Sequence, residues 1–215
     1  MCSSDLSVKA AGLTVRAGMP AAGDRGTMQT AATSGAGAED VGLGVAFALN
    51  TDEVVTEATL ESGAAVQLTG LSPLTLRAES DWRHLATATP QVTGDGKTVG
   101  IGLGIAINTV DETARAQPAA TATVTGAGDV TIAAVSTSDI AATAKGGAQG
   151  KGSSVTPVGA YSGGTLDTLA ELPGSGTLAA AGTVVVGATH TGTATATASG
   201  DTKGENSSGG ISLAI

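Results

Sequence analysis

Aromatic side chains are nearly missing from this chain: Phe47, Trp82 and Tyr161 are the only three in 215 residues. A conventional core draws much of its buried apolar area from aromatics and Leu. Here Ala, Val, Gly and Thr must serve instead, and such small residues suit a thin core between closely spaced strands. Cysteine is limited to Cys2, which excludes an internal disulfide and a thiolate metal site. Positive charge is also scarce, 10 Lys and Arg against 19 Asp and Glu, for a net charge of −9. Without clustered basic residues nothing neutralises phosphates, so nucleic acid is excluded as a partner. The aromatic girdles of a membrane barrel are missing too. Disorder is disfavoured, because the 41% of hydrophobic residues come in short ordered runs separated by polar turns.

What the chain has is repetition. VGLGVAFALN from Val41 returns as VGIGLGIAIN from Val99, and GGISLAI opens the phrase again at Gly209. A second phrase recurs in step: LTVRA from Leu13, LTLRA from Leu74, VTIAA from Val130 and VVVGA from Val184. The shifts fall between 54 and 61 residues, a period that marks stacked supersecondary units. Four extended segments per repeat are expected: the glycine-apolar phrase, a segment following an acidic turn at Asp52 or Asp111, the LTLRA phrase, and an Ala-Thr alternation. In the third, Leu74/Leu76, Val130/Ile132 and Val184/Val186 alternate and so share one strand face. Turns are expected at 34–40, 94–96, 126–129 and 199–201, where Gly, Ser and Asp cluster. No amphipathic helical period of useful length is present.

Most motifs of chemical interest dissolve in this pattern. GDGKT at 94–98 has Gln91 where a phosphate-binding loop needs Gly, and a strand follows it where a helix is required. AYSGG around Ser162 has neither the strand-turn-helix context of a nucleophile elbow nor an evident partnership with His190 and Asp167. His84 and His190 sit at non-equivalent repeat positions and read as exposed or partly packed. Asp52, Glu53, Asp111 and Glu112 are the best carboxylates for a cation, with solvated turn charges as the plainer reading. No catalytic residue, metal or cofactor is expected. Asn50 and Asn108 close the same phrase in successive repeats. Stacking would let their amides form a hydrogen-bonded ladder; otherwise each accommodates its own turn. Thr193, Thr195 and Thr197 project from one strand face, like the flat hydroxyl array of an ice-binding solenoid, or simply as good exposed strand residues.

The first six residues, MCSSDL, stand outside the pattern and back-translate into the end of a sequencing adapter. The expectation is that residues 1–6 are non-native and that 7–215 is one repeat region cut at both ends. Across 7–215 the phrases VGLGVAFALN, LTLRAES and GAGDVTIAAVS resemble giant bacterial β-strand-repeat surface proteins, the filamentous-haemagglutinin-like and leukotoxin-like filamentous adhesins. The resemblance implies a secreted or outer-membrane-associated stalk, usually a parallel β-helix, that serves adhesion. The glycine-apolar phrase is degraded near 155–162, where a regular rung is not assured. The expected fold is thus all-β, a right-handed parallel β-helix, with an antiparallel β-sandwich or barrel as the alternative. The expected function is a structural or adhesive shaft, with a glycan- or ice-binding module as the alternative. Expected partners are a surface ligand such as a glycan or host protein, and further copies through exposed solenoid ends.

Overall fold

The computed structural model describes residues 7–18, 25–37, 39–93, 99–172 and 174–215. The hexapeptide 1–6 and the GDGKT segment lie outside the described residues. The strands are β1 (Ser7–Ala10), β2 (Leu13–Gly18), β3 (Gly26–Gly37), β4 (Val41–Leu60), β5 (Ala65–Thr93), β6 (Val99–Pro118), β7 (Thr123–Gly150), β8 (Ser153–Ala170), β9 (Thr177–Ala180), β10 (Val184–Gly204) and β11 (Ser207–Ala214). No helix occurs among the described residues.

From β3 to β9 successive strands alternate between two sheets. One carries β5, β7 and β10 in that order, with β1, β2 and β3 along the free side of β5 and β9 beside β7. The four-stranded sheet runs β4, β6, β8, β11. Every pairing among the described residues is parallel, so the antiparallel alternative is not the arrangement adopted. Registers match the repeat: Val41 pairs with Val99, Leu13 with Leu74, Leu74 with Val130, and Val130 with Val184. Like residues therefore stand over like. The stretch at 155–162 is a regular rung in β8, paired with β6. In the last row Gly209 stands over Val155, so Ser207 rather than Gly209 opens the phrase there.

The repeats made of β4 and β5 and of β6 and β7 each contain two long strands rather than four segments. The supposed acidic turns are strand interior: Asp52 and Glu112 point inward while Glu53 and Asp111 point out. The clusters at 126–129 and 199–201, and residues 34–37, are also strand. Real reversals fall at 61–64, at 119–122, and at 171–172 with 174–176. A corner in β5 and β7, rather than a break, bends the chain near Gly70, Leu71 and Gly126, whose φ angles are 71°, 55° and 72°.

The interior is graded in size across the strands. At one flank Leu60, Leu68, Leu74, Leu76, Val130 and Ile132 make the thick part of the core. At the other Ala46, Ala48, Ala86, Ala88, Ala106 and Ala142 make a thin one. Beyond the alanines come inward glycines. A Cβ on Gly102 would lie 2.6 Å from the Gly147 carbonyl oxygen, and one on Gly104 would lie 3.0 Å from that of Lys145. Glycine is required there because the sheets converge until only backbone fits. The cross-section is a wedge.

The outer face of the four-stranded sheet reverses the usual pattern. Beside the inward Gly and Ala, the same strands turn Val41, Leu43, Val45, Phe47 and Leu49 outward, each between 47% and 62% exposed. Val99, Ile101, Leu103, Ile105 and Ile107 form the next row in register.

Candidate functional site

Between the thick and thin parts of the core lies a band of polar side chains. They come from the same alternating inward series as the apolar ones: Asn50 and Asp52 on β4, Ser80 and His84 on β5, Asn108 and Glu112 on β6, Ser136 on β7. His84 is fully buried and Glu112 is 1% exposed. His84 Nδ1 donates to Asp52 Oδ2 at 2.7 Å, and its Nε2 faces Glu112 Oε2 at 3.8 Å. Asn50 Nδ2 also donates to Asp52 Oδ2, at 2.5 Å. Ser80 and Ser136 hydroxyls, from successive repeats, donate to Glu112 Oε1 at 2.6 and 2.7 Å. Trp82 stacks beside His84 with ring centroids 6.3 Å apart, and it covers Gly26 of the neighbouring rung.

The electrostatics follow from this geometry. Burial acts to push the Glu112 carboxyl upward, but His84 and the serine hydroxyls more than offset it and bring the pKa down to about 2. Burial would likewise strip His84 of its proton; the flanking Glu112 and Asp52 outweigh that, and its pKa is raised. The band sets an imidazole, biased toward its protonated form, between the side chains of Asp52 and Glu112. Such a group can hold a proton, and its His84 and Glu112 side chains are buried. Among the described residues no group of His, Cys, Asp and Glu is placed to hold a metal ion.

Asn50 and Asn108 belong to the same band. They pair in register, and Asn50 Nδ2 donates to Asn108 Oδ1 at 3.1 Å, the geometry a ladder requires. Asn108 Nδ2 continues to the carbonyls of His84 and Ala141 at 2.7 and 3.0 Å, and Thr30 Oγ1 donates to Asn50 Oδ1 at 3.1 Å. The third rung has Ser162 in this column. Its hydroxyl donates to the Ile140 carbonyl at 3.1 Å, from within a strand.

Other sequence expectations are redistributed. His84 is neither exposed nor isolated; its parity with Leu74, Leu76, Ala86 and Ala88 is the signal that places it inside. His190 is exposed and lies 3.4 Å from Thr168. Asp52 and Glu112 are not register equivalents, since Asp52 pairs with Val110 and Val54 with Glu112. Thr193, Thr195 and Thr197 are exposed on β10, but the next row reads Asp139, Ala141, Thr143 and the one beyond Arg83, Leu85, Thr87. The hydroxyl array is one column wide. Thr193 Oγ1 is bonded to Asp139 at 2.7 Å, and Arg25 reaches that same carboxylate at 2.6 Å. Trp82 packs into the stack, which leaves Tyr161 as an exposed aromatic on the outer apolar face.

No family model matches the chain, and neither a curated protein nor a solved structure matches it.

Proposed function

We propose that this chain is a length of rigid shaft, a right-handed parallel β-helix, within a large bacterial secreted or cell-surface protein of the filamentous adhesin kind. The observation that carries this reading is the in-register parallel stacking of repeats through both sheets. Inter-rung hydrogen bonds join the described strands of successive repeats and resist bending. The crossover rule for parallel strands favours the right hand. The function follows from length and stiffness: the shaft carries an adhesive or anchoring part outward and performs no catalysis itself. Its polar partners, a glycan or host protein, are reached through other parts of the full protein or through weak surface contacts.

Cryo-electron microscopy of the chain is expected to show a short, straight rod with right-handed coils. Glycan arrays and ice-recrystallisation assays are expected to show no saturable binding. A globular particle, or sub-micromolar glycan binding abolished by Thr195→Asp and Thr197→Asp, overturns the shaft reading in favour of a recognition module.

A further inference from the structure

The outer face of the four-stranded sheet is a flat apolar lattice. No charged residue interrupts the rows beginning at Val41 and Val99 until Glu53 and Asp111 at their far side. Val155 and Tyr161 continue it on β8, Ile211 and Leu213 on β11. Rows about 4.8 Å apart and strands rising about 3.3 Å per residue give a footprint of roughly 500 Å². That is at the upper end of what a monomer exposes. About a two-fold axis along β6 three of the four rows face each other, so two such faces together would bury roughly 800 Å², the size of a weak, reversible interface.

One column of this face fits itself. One column reads Phe47, Ile105, Gly159, Leu213 in successive rows. Phe47 is the largest side chain in this column and 52% exposed. Gly159, two rows away, leaves a notch: a Cβ built there meets nothing within 4 Å. A two-fold axis along β6, through Ile105, exchanges the rows of β4 and β8. It sets each Phe47 over the partner's Gly159 and each Ile105 over its own mate. We propose that this face is a self-association surface on which a second copy of the chain docks about that axis, sheet against sheet as in a β-sandwich. The inference depends on the sheet geometry and not on the shaft reading. It is also distinct from association through the stack ends, which would extend the sheets without using this face. The net charge of −9 opposes association, so salt strengthens it.

Sedimentation velocity of the full chain is expected to show a monomer–dimer equilibrium that shifts toward dimer as salt rises. Ile105→Lys and Ile105→Glu each place like charges on the axis and are expected to raise the dissociation constant at least tenfold, with circular dichroism and thermal unfolding of the monomer unchanged. An equimolar mixture of the two is expected to restore the dimer. Gly159→Leu, which fills the notch, is expected to weaken dimers without affecting the monomer's fold. A wild-type chain that stays monomeric at hundreds of micromolar overturns the proposal. So do dimers that persist in both charge variants, a mixture that stays monomeric, and a monomer that instead floats with neutral lipid vesicles.

Discussion

At the residue scale, His84 keeps its proton where a buried imidazole would ordinarily lose it. This gives stability two pH limits of opposite sign. Glu112 ionises more readily in the folded chain than in the unfolded one, so its contribution is present above 4.5 and is lost as the pH falls toward about 2. His84 binds its proton more tightly when folded; its contribution is full below 6.5 and is lost as pH rises through the raised folded value. Urea unfolding across pH is therefore expected to show greatest stability between 4.5 and 6.5. Glu112→Gln should cost on the order of 3 kcal/mol inside that window. It should also flatten the acid limb, and a variant whose acid limb matches wild type would show that Glu112 is not its source. Asn108→Leu removes the amide donor from the His84 and Ala141 carbonyls and one of the two acceptors of the Asn50 amide, which keeps Asp52, at an expected cost of about 2 kcal/mol in the same assay. An unchanged midpoint would mean the amide ladder contributes nothing net.

At the element scale, glycine decides how closely two strands can approach. Gly102→Val drives its side chain into the Gly147 carbonyl and is expected to destabilise by about 1–3 kcal/mol. Gly35→Val, in β3 with nothing near its Cβ, is expected to be neutral or slightly stabilising by thermal unfolding. Equal effects at both sites would refute the convergence of the sheets. The register was readable beforehand because the phrases LTLRA and VGIGLGIAIN recur at the spacing the strands use. Strand length was not, since Asp52–Glu53 and Asp111–Glu112 look like turns unless their in–out alternation is followed through. The ionic band was hidden for a related reason. Aligning repeats sets His84 against Met28 and Ile140, so a residue present in one rung alone looks like noise. Parity within the strand, not repetition between strands, was the informative signal.

At the scale of the whole molecule, every rung is held chiefly by the rungs above and below. Stability then resembles a sum of neighbour terms, and unfolding need not be all-or-none. Hydrogen exchange is expected to be slowest in β6 and β7, which have partners on both sides, and faster in β10 and β11, whose residues are largely exposed. Uniform protection would instead indicate one cooperative block.

The corner in β5 and β7 has a consequence for how such a chain tolerates change. Ala65 pairs with Thr123 at an offset of 58, yet from Leu74 and Val130 onward the offset is 56. Two residues of slack are absorbed in the bend around Gly70, Leu71 and Gly126, and every column on either side remains aligned. The bend acts as an expansion joint, so repeats of unequal length can follow one another without a frameshift in the core. Insertions and deletions in the lineage of this chain should accumulate at that joint, while the long strands between joints keep their count.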